Sequence, residues 1–117
     1  MNKRTEGTRY ERMAEEFLTG QGYRIIDRNF RCRRAEIDLV AREGKYLVFL
    51  EVKERSSDAL GAAAQAVDRK KQDRICAAAR FYLHRFRIDP AMPVRFDVVT
   101  IDGGKVRLIR NAFLYRE

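Results

Sequence analysis

Asp38, Glu51 and Lys53 fall within one short run, AEIDLVAREGKYLVFLEVKER, from Ala35 to Arg55. Two segments rich in β-formers flank a turn signal at Glu43-Gly44-Lys45, which puts Asp38 and Glu51 on adjacent strands. Strand side chains alternate faces, so Glu51 and Lys53 project to the same side of the sheet. Two carboxylates and an ammonium group gathered there can hold a divalent cation against a phosphodiester. A hard cation takes oxygen ligands, polarises phosphoryl oxygens and lowers the pKa of a bound water. Asp38 and Glu51 are the expected metal ligands, and the Val52 carbonyl could add another. Mg²⁺ (or Mn²⁺) is the expected cofactor, because Mg²⁺ suits two carboxylates plus substrate and waters. Lys53 is a compact charge fitted to serve the attacking water or the charge that builds on phosphorus.

Ordinary solvent-facing strand residues would produce the same triplet, and an E-x-K is common where 36% of residues are charged. Position adds weight. Glu51 and Lys53 interrupt VFLEVK, the most apolar strand, where a charge costs stability unless it has a partner or a task.

The elements that must position these residues follow from periodicity. Tyr10, Met13, Ala14, Phe17 and Leu18 recur at helical spacing, and Gly20 and Gly22 end that helix. On it, Glu11 lies at the edge of the apolar stripe and is the acid nearest the sheet, a candidate third ligand. Glu15 and Glu16 are expected on a solvated face making i, i+4 pairs. Strands are expected over Tyr23–Cys32, Glu36–Arg42, Tyr46–Glu54 and Val94–Ile101, with a short one over Val106–Ile109 after a hairpin turn at Asp102-Gly103-Gly104-Lys105. In the second strand, Ile37 and Leu39 are expected to alternate against Glu36, Asp38 and Val40. Ser56 to Asp58 reads as a loop, and a long helix is expected from about Ala62 to Phe86, its apolar face including Val67, Ile75, Ala78, Ala79, Tyr82, Leu83 and Phe86. The order α-β-β-β-α-β-β implies a mixed α/β sheet with helices packed on it.

The 117 residues fit one domain, spanning 1–117. No segment approaches the ~20 continuous apolar residues of a membrane span, and MNKRTEGTRYER lacks the apolar stretch of a secretory leader. A cytoplasmic protein without a membrane partner is expected. Cys32 and Cys76 form no C-x-x-C pair and read as small buried or half-buried thiols. With a single histidine, a structural zinc site lacks ligands. Lys and Arg number 25 against 17 Asp and Glu, a net charge of +8, which points to a polyanionic partner. Arg69, Lys70, Lys71 and Arg74 cluster early in the second helix, with Arg55 ahead of the loop. They are the candidate phosphate contacts, although a solvated face explains them about as well.

The motifs Gly7-x-x-x-Glu11-x-x-Ala14-x-x-x-Leu18-x-x-x-Gly22-Tyr23, Arg28-Asn29, Glu36-Ile37-Asp38-Leu39, Phe49-Leu50-Glu51-Val52-Lys53-x-Arg55, Val67-x-x-Lys70-Lys71 and Arg95-Phe96-Asp97-Val98 follow in order along the chain. This ordered set resembles the YraN family of small bacterial proteins over essentially the whole length. Members of that family are similar to archaeal Holliday-junction resolvases and to the restriction-endonuclease-like PD-(D/E)xK superfamily. The resemblance implies a restriction-endonuclease-like mixed central sheet of about five strands. It implies a nuclease-type site in which Asp38 is the motif acid, Glu51 and Lys53 the E-x-K, and Glu11 the acid of the first helix. Where the family usually has glycine before Glu-Ile-Asp, this chain has Ala35, and a small residue is kept. The expected activity is metal-dependent cleavage of DNA, branched or damaged, with RNA also open as substrate. A homodimer formed through an open sheet edge would present two sites to a symmetric junction. Two alternatives stand beside this reading: a non-catalytic nucleic-acid-binding module, and a basic adaptor that meets an acidic protein.

Overall fold

The computed structural model describes residues 3–33, 35–54 and 67–116, the first six of them as backbone. Helix α1 (Lys3–Gly20) leads into three antiparallel strands, β1 (Arg24–Arg31), β2 (Glu36–Glu43) and β3 (Tyr46–Glu54). Helix α2 (Arg69–Arg85) follows, then β4 (Val94–Asp102) and β5 (Lys105–Phe113). The five strands form one sheet in the order β1-β2-β3-β4-β5. β3 and β4 run parallel, and β4 and β5 antiparallel. This is the mixed α/β sheet, in the element order, that the sequence pattern implies.

Each helix covers one face. α1 ends in a turn where Gly22 adopts φ 94° and the Tyr23 N–H returns to the Leu18 carbonyl at 3.0 Å. That conformation favours a residue without a Cβ. The turn delivers Ala14 and Leu18 onto Leu39, Ala41, Val48, Leu50, Val99 and Ile101. On the opposite face, Ile75, Cys76, Ala78, Ala79 and Tyr82 of α2 pack against Ile37, Val40, Leu47, Phe49, Phe96 and Val98. β3 is buried continuously from Leu47 to Glu51, as expected of the most apolar strand. Both clusters share it, which makes it the mechanical centre of the molecule.

Two elements, α2 and β5, differ from expectation. α2 starts at Arg69, later than the expected Ala62. Val67 and Asp68 are described and are not helical, whereas residues 62–66, like the expected loop at Ser56–Asp58, lie outside the described residues. The cause is a cap: Asp68 is extended (φ −74°, ψ 174°) and its carboxylate accepts the Lys71 N–H at 2.8 Å. That takes up a donor a helix start would otherwise leave unpaired. Phe86, counted on the helix's apolar face, is the C-cap and is 49% exposed. β5 runs to Phe113, well past Ile109, because Asn111 at φ 53° absorbs a register shift and its N–H donates to Asp97 Oδ1 at 2.9 Å. The strand therefore continues beyond a point where its side-chain pattern is mostly polar.

Candidate metal and phosphate site

The site lies where two halves of the sheet part. The β2–β3 ladder runs from Glu43–Tyr46 to Leu39–Leu50 and stops there. Yet β2 continues to Glu36 paired with β1, and β3 continues to Glu54 paired with β4. Asp38 sits at this fork, and its Oδ2 accepts the Val52 N–H at 2.8 Å. A backbone donor freed by the end of the ladder thereby fixes the carboxylate beside Glu51.

The expected alternation of β2 breaks at the same level. Ile37 packs with Val40 on the α2 side, while Leu39 packs with Ala41 on the α1 side. Ile37 and Leu39 therefore do not share a face, and Val40 is buried. Across the β1–β2 ladder, the register Arg28↔Leu39 and Phe30↔Ile37 sets Asn29 opposite Asp38, and Asn29 has φ 51°. Asn enters the left-handed region more readily than most residues. The two strands change faces together, and this irregularity re-aims Asp38.

Glu51 keeps the parity of Leu47 and Phe49 and so faces α2. Its side chain is 8% exposed, and its Oε1 lies 2.7 Å from the ammonium of Lys71. Asp38, Glu51, Glu36, Ala35, Lys71 and Arg74 line a cleft of about 300 Å³. Burial pushes the Asp38 carboxyl well above the usual carboxylate range, and the charges of Glu51, Glu36 and Glu11 push the same way. The Val52 N–H opposes them without cancelling them. Burial alone would lower Lys71, but its bond to Glu51 and the charges of Glu51, Asp38 and Asp68 outweigh that and hold it raised. These are the electrostatics of a carboxylate pair short of positive charge.

Glu11 approaches from the other side of the fork. With the Asn29 amide oriented to donate, its nitrogen lies 2.8 Å from Glu11 Oε2 and 3.2 Å from Glu36 Oε1. The Glu11 carboxyl is raised by burial first and then by Glu36 and Glu15. Among the described residues no group of three or more His, Cys, Asp or Glu is gathered as a metal site. Glu11 is thus not drawn into one ligand set with Asp38 and Glu51; it bears on Asp38 through charge, and Asn29 links it to Glu36. Glu15, expected in i, i+4 pairs, instead holds Arg28 of β1 with two bonds of 2.8 Å. Glu16 is exposed, as expected.

Lys53 has the strand parity of Glu51, but it does not line the cleft, and no ion pair joins it to a described residue. The lysine in contact with the pair is Lys71, which the sequence pattern assigns to the phosphate contacts. Arg74 lines the cleft, Lys70 is exposed, and Arg69 is exposed with a weak contact of 3.9 Å to Asp73. Arg55 lies outside the described residues. Glu36, Asn29 and the pairing role of Lys71 were not singled out from sequence. The adjacent Arg28-Asn29 and Glu36-Ile37-Asp38 motifs were the available signal for the first two.

A second charged cluster has a structural task. Asp97 is 1% exposed and accepts the Tyr23 hydroxyl at 2.6 Å, Arg95 Nε and Nη2 at 2.9 Å each, and the Asn111 N–H. Arg95 Nη1 reaches Glu43 at 2.9 Å. Every charge there is paired, and the cluster ties the start of β1 to β4 and β5.

Two carboxylates on a cleft open to water suit a hard divalent cation that keeps several waters and takes substrate oxygens. The donor set is of the kind that suits Mg²⁺ or Mn²⁺, and Asp38 and Glu51 are the residues that would hold such an ion.

The model of an uncharacterised protein family, UPF0102, matches residues 10–101. A UPF0102 protein of Lachnoclostridium phytofermentans is 48% identical over 113 residues, 97% of this chain and 96% of that protein. Another, from Hahella chejuensis, is 50% identical over 93 residues, 80% of this chain and 74% of that protein. A third, from Symbiobacterium thermophilum, is 47% identical over 115 residues, 94% of this chain and 97% of that protein. Among solved structures, SfsA of Pyrococcus furiosus in complex with Ca²⁺ aligns with a TM-score of 0.39 at 13% identity. That alignment covers 93% of this chain and 64% of SfsA, and a likeness this loose carries no argument.

Proposed function

The chain belongs to UPF0102, the YraN family that its motifs resemble, and from that premise we propose that it is a metal-dependent endonuclease acting on DNA. The observation that carries the reading is the Asp38–Glu51 pair at the fork of β2 and β3, desolvated and facing a cleft with Lys71 and Arg74. When bound, Mg²⁺ or Mn²⁺ supplies the Lewis acidity that polarises a phosphoryl oxygen and acidifies a bound water. The protein's own residues do the rest. Asp38, locked by the Val52 N–H, and Glu51 present oxygens on one side of the sheet. Lys53, which shares the strand parity of Glu51 but lies outside the cleft lining, would have to reach the pair from beyond it to serve the attacking water or the charge that develops on phosphorus. Glu11 and Glu36 add to the negative field at Asp38, and the Asn29 amide bridges those two acids. Arg69, Lys70, Lys71 and Arg74 contact phosphates, and Arg55 joins them from the segment after β3. The fold in this reading is restriction-endonuclease-like, and branched or damaged DNA is the favoured substrate. A homodimer would bring two such clefts to one junction.

The test is cleavage of linear, single-stranded, flap and four-way-junction DNA, and of matched RNA, with Mg²⁺ or Mn²⁺ and with chelator. Wild type is expected to give metal-dependent products, reduced at least about a hundredfold in Asp38→Asn and Lys53→Ala. Absence of products on every substrate, or products undiminished in both variants, would defeat the catalytic claim. One observation favours a second reading. Glu51 already has a cation in Lys71, as a nucleic-acid-binding module without turnover would require. That module binds DNA equally well in chelator and cuts none of it.

A further inference from the structure

The Lys71 ammonium lies 2.7 Å from Glu51 Oε1, on a stem 41% exposed, against a carboxylate side chain 8% exposed. The charge of Asp38 also bears on it. Lys71 thus occupies one of the pair's acceptor positions from the solvent side of the cleft. Its backbone is fixed: the Lys71 N–H is bonded to the Asp68 cap at 2.8 Å, and Gln72 Nε2 ties the same turn to the Val67 carbonyl at 2.9 Å. The long side chain is the part free to move. Arg74, one helical turn on, lines the same cleft.

We infer that Lys71 is the resident counter-cation of the Asp38–Glu51 pair, displaced from Glu51 when a divalent cation binds and turned, beside Arg74, toward a substrate phosphate. This rests on the metal reading proposed above. Two cations cannot share the Glu51 oxygens without repelling each other, so metal and ammonium compete for one carboxylate. The competition stabilises the cleft when no metal is bound and weakens metal binding until a polyanion takes up the released lysine. Metal and nucleic acid therefore bind with positive coupling, each raising the affinity for the other. Lys53 does not line the cleft and cannot play this part.

Mn²⁺ titration by calorimetry, without DNA, tests the inference on wild type, Lys71→Gln, Lys71→Arg and the remote hairpin variant Lys105→Gln. Lys71→Gln is expected to bind Mn²⁺ about tenfold more tightly than wild type. Lys71→Arg keeps the competing charge and is expected to stay near wild type, as is Lys105→Gln. Unchanged or weaker binding in Lys71→Gln, with wild type binding normally, overturns the role of Lys71 and leaves the metal site standing. No Mn²⁺ heat in any of the four proteins defeats the metal reading and this inference together. A measurement on the unmutated chain guards against misfolding of the variant. The ¹⁵N resonance of the Lys71 ammonium is expected to shift as Mg²⁺ is added, and a resonance that stays put while Mg²⁺ binds contradicts displacement.

Discussion

Asp38 carries the most chemical information of any single residue. In the folded chain it keeps its proton to a higher pH than its ordinary value of 3.8, because burial and then the charge of Glu51 disfavour ionisation. Between the unfolded value and the raised folded one, the native state holds the extra proton. Stability is therefore greatest below the ordinary carboxylate range and falls as pH rises through that window. Asp38→Asn keeps an oxygen for the Val52 N–H and removes the charge. It is expected to be more stable than wild type at pH 8 by about 1 to 2 kcal/mol, with the gap closing toward pH 4. Urea unfolding at several pH values checks this, and a variant less stable at every pH would show that the carboxylate is not strained. Asp38, Glu51 and the shared parity of Glu51 and Lys53 were legible because a strand has a fixed two-residue period. The partner of Glu51 was not. Lys71 lies on α2, after a segment whose path sequence does not reveal, and only packing brings its ammonium to the pair.

At the scale of elements, the decisive feature is the fork at which β2 leaves β3 while each keeps its other neighbour. Strand identity and order followed from periodicity and turn residues. The fork did not, because Ile37, Leu39 and Val40 are all apolar and fit either face. Asn29 at φ 51° was the faint signal, since Asn tolerates a conformation that β-branched residues resist. The start of α2 was misplaced because alanines near residues 62–64 favour a helix by propensity, whereas Asp68 begins one by capping. Asp68→Ala is expected to cost about 1 kcal/mol in thermal or urea unfolding. It is also expected to loosen the first turn that holds Lys71. If the cap does not anchor that turn, backbone amide exchange at Lys71 and Gln72 will match wild type.

At the scale of the molecule, a net charge of +8 coexists with a cleft whose acids repel one another. Under the proposed function, the positive charge elsewhere would draw a polyanion in, and the acids would hold a divalent cation beside it. DNA affinity is expected to fall on the order of 10- to 100-fold between about 50 and 200 mM salt, as a few phosphate contacts require. A flat salt response in a filter-binding assay would favour the protein-adaptor alternative. Among the described residues no helix is long and apolar enough to cross a membrane. The mixed sheet with helices packed on it was legible from the order of elements, and the charge balance from composition; that the two helices take opposite faces emerges only from the packing. The pairing of charges was not, because Arg95 with Asp97 and Lys71 with Glu51 draw from the same pool of charged residues that covers an ordinary surface. The most direct test of the account is anomalous diffraction from a crystal of the protein with Mn²⁺. The account predicts a manganese peak bonded to Asp38 and Glu51, with the Lys71 ammonium withdrawn from Glu51. A crystal soaked in Mn²⁺ with no peak there, and with Lys71 still bonded to Glu51, would contradict it.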